Sequence, residues 1–434
     1  VPLQGAEARR GQYLLYEDWL VTRLGERTAG ILRTGRSRND LNATVLRLRL
    51  RRPVDRLLRE TVRLQAVLLA GARRHAATVM PAYTHYQPAV PTTYGHHLAG
   101  VASALDRDLD AVSVAASGLD TCPLGAGVGH GTALPIAPAR TAALLGFCGP
   151  AVHALDAVAS RDVVLRLLAA AAVLGVTASR LATDLILWTT GEFGFLELPD
   201  ELVGSSSAMP QKRNPFLLEH VQGRSARAAG AFVAAATAMH ATPFSNSVAV
   251  GTEGCAGVED ALEATADSVV LLRLVVAGAK PRPEVMLARA AAGQTTATAR
   301  AERLMAEGLS FREAHRLVGR ALTDLDENLR SSATPVVAEQ RRNDGTGPGP
   351  AAADPLDPVV DPVAVARAAR YGGGPGAPAA LDDLRGRRAA VAAAVAERSR
   401  RRREADAALT AAVAAVVGSA HPPDRPPALA GRQA

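Results

Sequence analysis

The chain has 434 residues, 48% apolar and 21% charged, which is enough for two or three structural units around a sizeable core and excludes wholesale disorder. Its formal charge of +7 raises the question of nucleic-acid binding, but eight arginines and one acid between Arg385 and Arg403 account for the whole excess. A basic run confined to one Ala/Arg-rich tail, in a chain with only 3% aromatics to stack bases, reads as a solvated helix face and not as a nucleic-acid footprint.

The N-terminus (VPLQGAEARR) lacks a basic-then-apolar signal. No stretch reads as a spanning helix, because the apolar run Ala228–Met239 ends at His240 and Pro243. Cys122, Cys148 and Cys255 lie far apart, which argues against a disulfide framework or a thiolate zinc site and fits a reducing compartment. The expectation is a soluble, cytoplasmic protein. Helix-like spacing of Leu, Val and Ala covers roughly 42–77, 92–118, 154–188, 215–241 and 256–279, and no comparable strand alternation occurs. Rods of this length predict an all-α fold built as an elongated bundle. Shorter helical patterns at 297–308 and 311–328 follow, then a Gly/Pro/Asp-rich linker at 343–358, an Ala/Arg helix from about 381 to 417, and a Pro-rich end. Three parts result: 1–36, a long-helix bundle at 37–281, and a smaller C-terminal unit at 282–434.

The loops between the rods carry the chemistry. In TGRSRND (34–40), Arg36, Ser37, Arg38 and Asn39 form a dense set of donors suited to a carboxylate, opposed only by Asp40. The same residues also read as a capped helix start, with Asn39 or Asp40 leading into 41–52. In MPAYTHYQP (80–88), Thr84 and His85 stand between tyrosines ahead of Gln87 and Pro88. A loop histidine can exchange protons near neutral pH but needs a carboxylate to orient it, and Glu219 is available if the loops converge. His96 and His97 fall inside a helix and read as packing or polar-face residues, whereas His130 in the glycine loop is ambiguous. The glycines of PLGAGVGHGT (123–132) follow no strand, so they do not form a nucleotide fingerprint, and no His/Asp/Glu spacing predicts a metal site. In VGSSSAMPQKRNP (203–215), the serine run reads as a mobile loop before a helix capped by Asn214 with Pro215 at its first position. The unpaired amides of that helix start favour an anion beside Gln211 and Lys212. Lys212 and Lys280 are the only lysines among 49 basic residues, and asparagine occurs only at 39, 42, 214, 246, 328 and 343. A lysine kept in so arginine-rich a chain asks for a reason.

Together, TGRSRND, MPAYTHYQP, PLGAGVGHGT and SSSAMPQKRNP, in that order on long helices, resemble the fumarase/aspartase superfamily and within it the argininosuccinate lyase family. The segments at 295–322 and 365–378 resemble that family's C-terminal domain. The resemblance implies a homotetramer with active sites shared between subunits, no cofactor, no metal, and a small dicarboxylate substrate. It implies elimination of an amine from an N-substituted aspartate to leave fumarate. By position, Ser206 falls on the catalytic base, Lys212 and Asn214 on groups holding the reacting carboxylate, and His85 on the family histidine with Glu219 as its relay partner. Ser37, Arg38, Asn39, Thr84, Gln87, Ser207 and Met209 fall on substrate-binding positions.

Three departures accompany it. Ser205 stands where the family has glycine, so Ser205 or Ser207 is the fallback for the base. The stretch 242–254 (TPFSNSVAVGTEG) lacks the family's Gln-Glu-Asp-Lys run, which leaves the succinyl end intact and the amine end rewritten. TGRSRND arrives at residue 34, so 1–36 reads as a remnant of the family's N-terminal domain. The expected activity is argininosuccinate lyase-like; the alternatives are a related fumarate-releasing lyase acting on another amine, and a non-catalytic protein on the same scaffold.

Overall fold

The computed structural model describes residues 12–292, 294–332, 360–377 and 380–419; the 343–358 linker and the Pro-rich end lie outside these. After a first helix, α1 (Gln12–Leu24), the bundle is made of α2 (Arg38–Arg74), α3 (Tyr94–Ser117), α6 (Asp162–Thr189), α7 (Phe216–Ser225), α8 (Arg227–Met239) and α9 (Val258–Gly278). Two short helices, α4 (Pro138–Leu144) and α5 (Ala154–Ala159), flank it.

The helix starts follow from local chemistry. Ser37 caps α2 by accepting from the Asn39 amide, while Asp40 Oδ1 accepts from the Ser37 amide, a reciprocal capping box. The cap is therefore Ser37 and not Asn39 or Asp40. Thr93 caps α3 by accepting from the His96 amide. From there α2 runs 37 residues, burying Leu50, Leu57, Leu58, Leu64 and Leu68 against α3 and α9. Each such side chain contributes about 1.5–3 kcal/mol through burial. Close helix approach relies on glycine at two points. A Cβ at Gly95 would lie 2.4 Å from the Ala72 carbonyl oxygen, and one at Gly175 would lie 2.4 Å from that of Ser225.

Two expected rods are divided. The 154–188 pattern splits at Ser160–Arg161, where the buried Arg161 turns back to donate to the Val158 and Ser160 carbonyls, each at 2.8 Å. The 215–241 pattern splits at Ala226, beside the Ser225–Gly175 approach; Ser225 Oγ there donates to the Gln222 carbonyl. The fold is all-α as expected, yet it contains a hairpin, β1 (Val79–Thr84) with β2 (Gln87–Thr93), where the sequence read as a loop. Its turn residues, His85 and Tyr86, both have positive φ (53° and 62°), the geometry usually given to Asn-Gly. Pro81, Pro88 and Pro91 masked the strand pattern further.

Beyond the bundle, α10 (Ala297–Ala306) and α11 (Phe311–Ser332) pack on each other through Ala301, Leu304, Ala314 and Val318. Helix α12 (Pro362–Ala368) lies against the hairpin. The last helix, α13 (Ala380–Ser419), returns to the bundle, placing Leu384 and Val395 in its core. The arginine run on α13 is only in part the solvated face expected from its composition: Arg385, Arg387, Arg400 and Arg403 are exposed, whereas Arg388, Arg398, Arg401 and Arg402 are half-buried. Arg387 Nε is 3.0 Å from Asp106 Oδ2, Arg401 Nη2 is 2.8 Å from Asp120 Oδ1, and Arg402 pairs with Asp55. Arg398 adds a longer contact to Asp120 at 3.7 Å. Asp55 and Asp106 are buried on bundle helices, and Arg402 is itself 12% exposed, so the Arg402–Asp55 pair is largely withdrawn from water, while Arg387 keeps its outer side in solvent. Arg51 on α2 sits beneath them, donating to the Leu145 carbonyl at 2.7 Å and stacked 4.0 Å over Phe147. Burial first, then the neighbouring Arg402, lowers its pKa to about 10.

Removing one member of such a pair strands a buried charge. Arg402→Ala is expected to cost about 3 kcal/mol, read as a lower midpoint in denaturant unfolding. Arg400→Ala, which removes only the surface pairs with Glu397 and Glu404, should leave the midpoint within error.

Candidate active site

The candidate residues occupy both ends of the bundle. At one end is the start of α2. Asp40, fully buried, uses its second oxygen to accept from the amides of Gly125 and Gly127, each at 3.0 Å. The acid that seemed only to oppose the arginines therefore ties the Ser37–Asn39 turn to the glycine loop. Gly125, Gly127, Gly129 and Gly131 all have positive φ, so that loop coils back on itself in a path open to glycine. The 242–254 stretch arrives at the same end: Asn246 Nδ2 donates to Asn39 Oδ1 at 3.1 Å. Ser37 and Asn39 are half-buried and Arg38 is exposed.

At the other end is the hairpin. Thr84, His85 and Gln87 are exposed at its tip. A groove of about 800 Å³ runs from the tip along α3 and α6, lined among others by His85, Tyr86, His96, His97, Asp184 and Trp188. His97 Nε2 is 3.4 Å from Asp184 Oδ2, and its ring packs edge-on against Trp188 at 4.7 Å. Burial, and secondarily the adjacent His97, lowers the His96 pKa.

The serine loop belongs to the hairpin end too. It leaves α6 through Phe193 and Phe195, which pack on Tyr83 of β1, and Leu202 touches Gly278 at the end of α9. A two-residue ladder, Gly204 with Asn214 and Ser205 with Arg213, closes the loop. Arg213 anchors one side by donating to the Leu198 carbonyl at 2.7 Å and pairing with Asp200. Ser206 and Lys212 therefore stand at the two ends of one closed loop. Ser206 Oγ, half-buried, accepts from the amides of Met209 at 3.1 Å and Ala208 at 3.3 Å. These two aligned N–H groups stabilise negative charge on that oxygen. Ser207, Met209 and Lys212 are exposed.

Asn214 does not cap the following helix as its sequence suggested. It is held in the ladder, Pro215 takes the capping position, and α7 begins at Phe216. The amides of Leu218 and Glu219 bond back to the Pro215 carbonyl, and Glu219 is exposed in the first turn. Among the described residues, neither the His85 nor the Glu219 side chain makes a hydrogen bond or ion pair, so the two do not pair within one chain.

The separation of the two ends is set by α2. Its 37 residues span about 55 Å at 1.5 Å per residue, with Ser37 before the first turn and the hairpin after the last. The chain brings Ser206 and Lys212 together on one loop, but not with Ser37, Arg38 and Asn39. The sequence reading passed over Asp40 and Asn246 as site-shaping residues. The rarity of asparagine was a signal for Asn246, while nothing short of the fold pairs Asp40 with Gly125. Among the described residues, no three His, Cys, Asp or Glu side chains cluster closely enough to hold a metal ion.

Known proteins with this arrangement agree on its class. The family described as lyase matches residues 20–230, and that described as argininosuccinate lyase C-terminal matches 294–342. An argininosuccinate lyase from Halorhodospira halophila is 40% identical over 316 residues, covering 72% of this chain and 68% of that protein. One from Methylococcus capsulatus is 37% identical over 347 residues, covering 78% and 74%. Among solved structures, EDDS lyase in complex with formate superposes with a TM-score of 0.83 at 29% identity, covering 94% of this chain and 82% of that one. A class II fumarase from Schistosoma mansoni shares the fold at a TM-score of 0.60 and 20% identity, covering 67% and 64%. With the bundle, the capped Ser37 turn and the closed Ser206 loop in place, the chain belongs to the argininosuccinate lyase family of the fumarase/aspartase superfamily and is a carbon–nitrogen lyase of the fumarate-releasing kind.

Proposed function

We propose that the chain assembles as a homotetramer and cleaves argininosuccinate to fumarate and arginine at sites pooled from several subunits. The observation that carries this is the length of α2: Asn39 lies in its first turn, while Ser206 is on the loop beside the hairpin that follows its last, so a site using both must combine chains. The surface favours assembly. Helix α8 buries only Ala228 and Ala235, and Val233 is 62% exposed; α6, with mean hydropathy 1.7 over its most apolar window, leaves Val173 and Val176 exposed. Helices apolar on their outer face bury that face against another helix.

In the proposed reaction, Ser206 Oγ as the alkoxide removes a proton from the carbon beside a substrate carboxylate. The electron pair left behind delocalises into that carboxylate, giving a doubly charged enolate-like intermediate. Lys212, Asn214 and the positive end of α7 stabilise it, and the amides of Ala208 and Met209 keep the serine oxygen anionic beforehand. Collapse of that pair into the C=C bond expels the nitrogen, which takes a proton from His85, oriented by Glu219 of a neighbouring subunit. Ser37, Arg38, Asn39, Thr84, Gln87, Ser207 and Met209 hold the dicarboxylate.

A second reading, a related lyase acting on a different amine, is favoured by the 242–254 stretch, whose only charged side chain, Glu253, is exposed and makes no hydrogen bond or ion pair. Incubating the protein with argininosuccinate and with other N-succinyl amino compounds, following fumarate by its absorbance, separates the two readings.

Ser206→Ala is expected to lower kcat by roughly 10³-fold, within the range for loss of a positioned base, and full activity in that variant would move the role to Ser205 or Ser207. Lys212→Ala should cost about 3 kcal/mol of transition-state stabilisation, as for other oxyanion donors. Mixed assemblies of Ser206→Ala and Asn39→Ala chains should recover turnover that neither variant has alone. A site confined to one chain would show no recovery.

A further inference from the structure

The bond between Asn246 and Asn39 joins residues 207 apart in sequence and uses two of the chain's six asparagines. A side-chain amide carries one acceptor oxygen and one donor NH2 group. With Asn39 Oδ1 accepting from Asn246 Nδ2, the group that Asn39 has left to offer is its NH2. That is the end a carboxylate accepts from. Rotated by half a turn, the same side chain would present a carbonyl oxygen and repel an anion.

Asn246 is itself held in place. Ser247 caps the short helix Val248–Gly251 by accepting from the Val250 amide at 3.3 Å, and its carbonyl accepts from the Gly251 amide at 2.8 Å. A Cβ at Gly251 would stand 3.2 Å from Asn246 Oδ1, so a bare glycine there leaves room for that oxygen. The buried Arg161 puts its Nη2 3.9 Å from where that Cβ would stand.

We propose that Asn246 is a positioning residue that fixes the amide orientation of Asn39, so that this end of the site presents a donor to a substrate carboxylate. The proposal rests on the reading of Asn39 as a substrate-binding residue. It gives the 242–254 stretch, stripped of its family charges, a remaining role: it acts on substrate through Asn39.

The test uses the full-length assembled protein, with fumarate as the probe in calorimetry and turnover measured in parallel. Asn246→Asp keeps the shape but replaces the donor with a charged acceptor, so Asn39 must turn its NH2 inward and its oxygen toward substrate. Fumarate affinity is expected to fall about tenfold, KM to rise with it, and kcat to change little, the pattern of lost uniform binding. Asn246→Ala, which frees the amide without reversing it, should weaken fumarate less. In an Asn39→Ala background the Asp substitution should add nothing. A role in packing alone predicts the opposite order, with the isosteric Asp milder than Ala, and that order would overturn the proposal, as would unchanged fumarate affinity in Asn246→Asp. Should the Asp variant fail to fold, Gly251→Ala, which crowds Asn246 Oδ1 without altering charge, must weaken fumarate in its place; unchanged affinity there also overturns the proposal. A wild-type protein that releases no fumarate from any N-succinyl compound defeats the proposed function instead, and the two failures are distinguishable.

Discussion

The organisation of this protein depends on the uninterrupted run of α2 from Ser37 to Arg74. A helix of that length holds its two ends apart rigidly, and each end carries loops that the chain cannot fold back to join. The hydrophobic stripe of α2 packs against α3 and α9, and the helix continues through Pro53 without a break. A site that draws on both ends then has to be completed by another copy, and the apolar outer faces of α6 and α8 are where such a copy would bury itself.

Charge is used inside the molecule in two different ways. Asp40 is a buried carboxylate whose two oxygens are filled by three backbone amides, so it fixes the geometry of two loops while presenting nothing outward. Asp55, Asp106 and Asp120 instead receive arginines from α13, nearly 350 residues away in the case of Asp55 and Arg402. The pairing seats a helix whose own sequence is almost featureless in hydrophobic pattern. Apolar residues such as Leu384 and Val395 supply burial, and the ion pairs set which face of α13 turns inward.

At the Ser206 loop the emphasis is on preorganisation. A two-residue ladder and the Arg213 anchor close the loop, so the amides of Ala208 and Met209 hold their places on Ser206 Oγ before any ligand arrives. Dipoles already aligned do not have to reorient as charge develops, and they act more strongly where water is excluded. The same economy holds at Asn39, whose amide is oriented by a neighbour outside the motif that contains it.

The sequence by itself determined the all-α class and the positions of the long rods to within a few residues, and it singled out the loops between them as candidates for the chemistry, because helical periodicity and short motifs are local properties. It could not reveal the hairpin, whose His85-Tyr86 turn and three prolines carry none of the usual strand signals, nor the breaks at Ser160–Arg161 and Ala226, which arise beside contacts within the folded bundle. It misassigned Asn214, a good capping residue drawn instead into a ladder with Gly204, and it read all of the α13 arginines as solvated, missing Arg398, Arg401 and Arg402, whose partners lie far away in sequence. Only the tertiary structure decided that Asp40 is an internal anchor, that Asn246 meets Asn39, and that Ser206 and Asn39 stand at opposite ends of the bundle. Contacts between residues far apart in sequence depend on how the helices pack against one another, and no local pattern of residues encodes them.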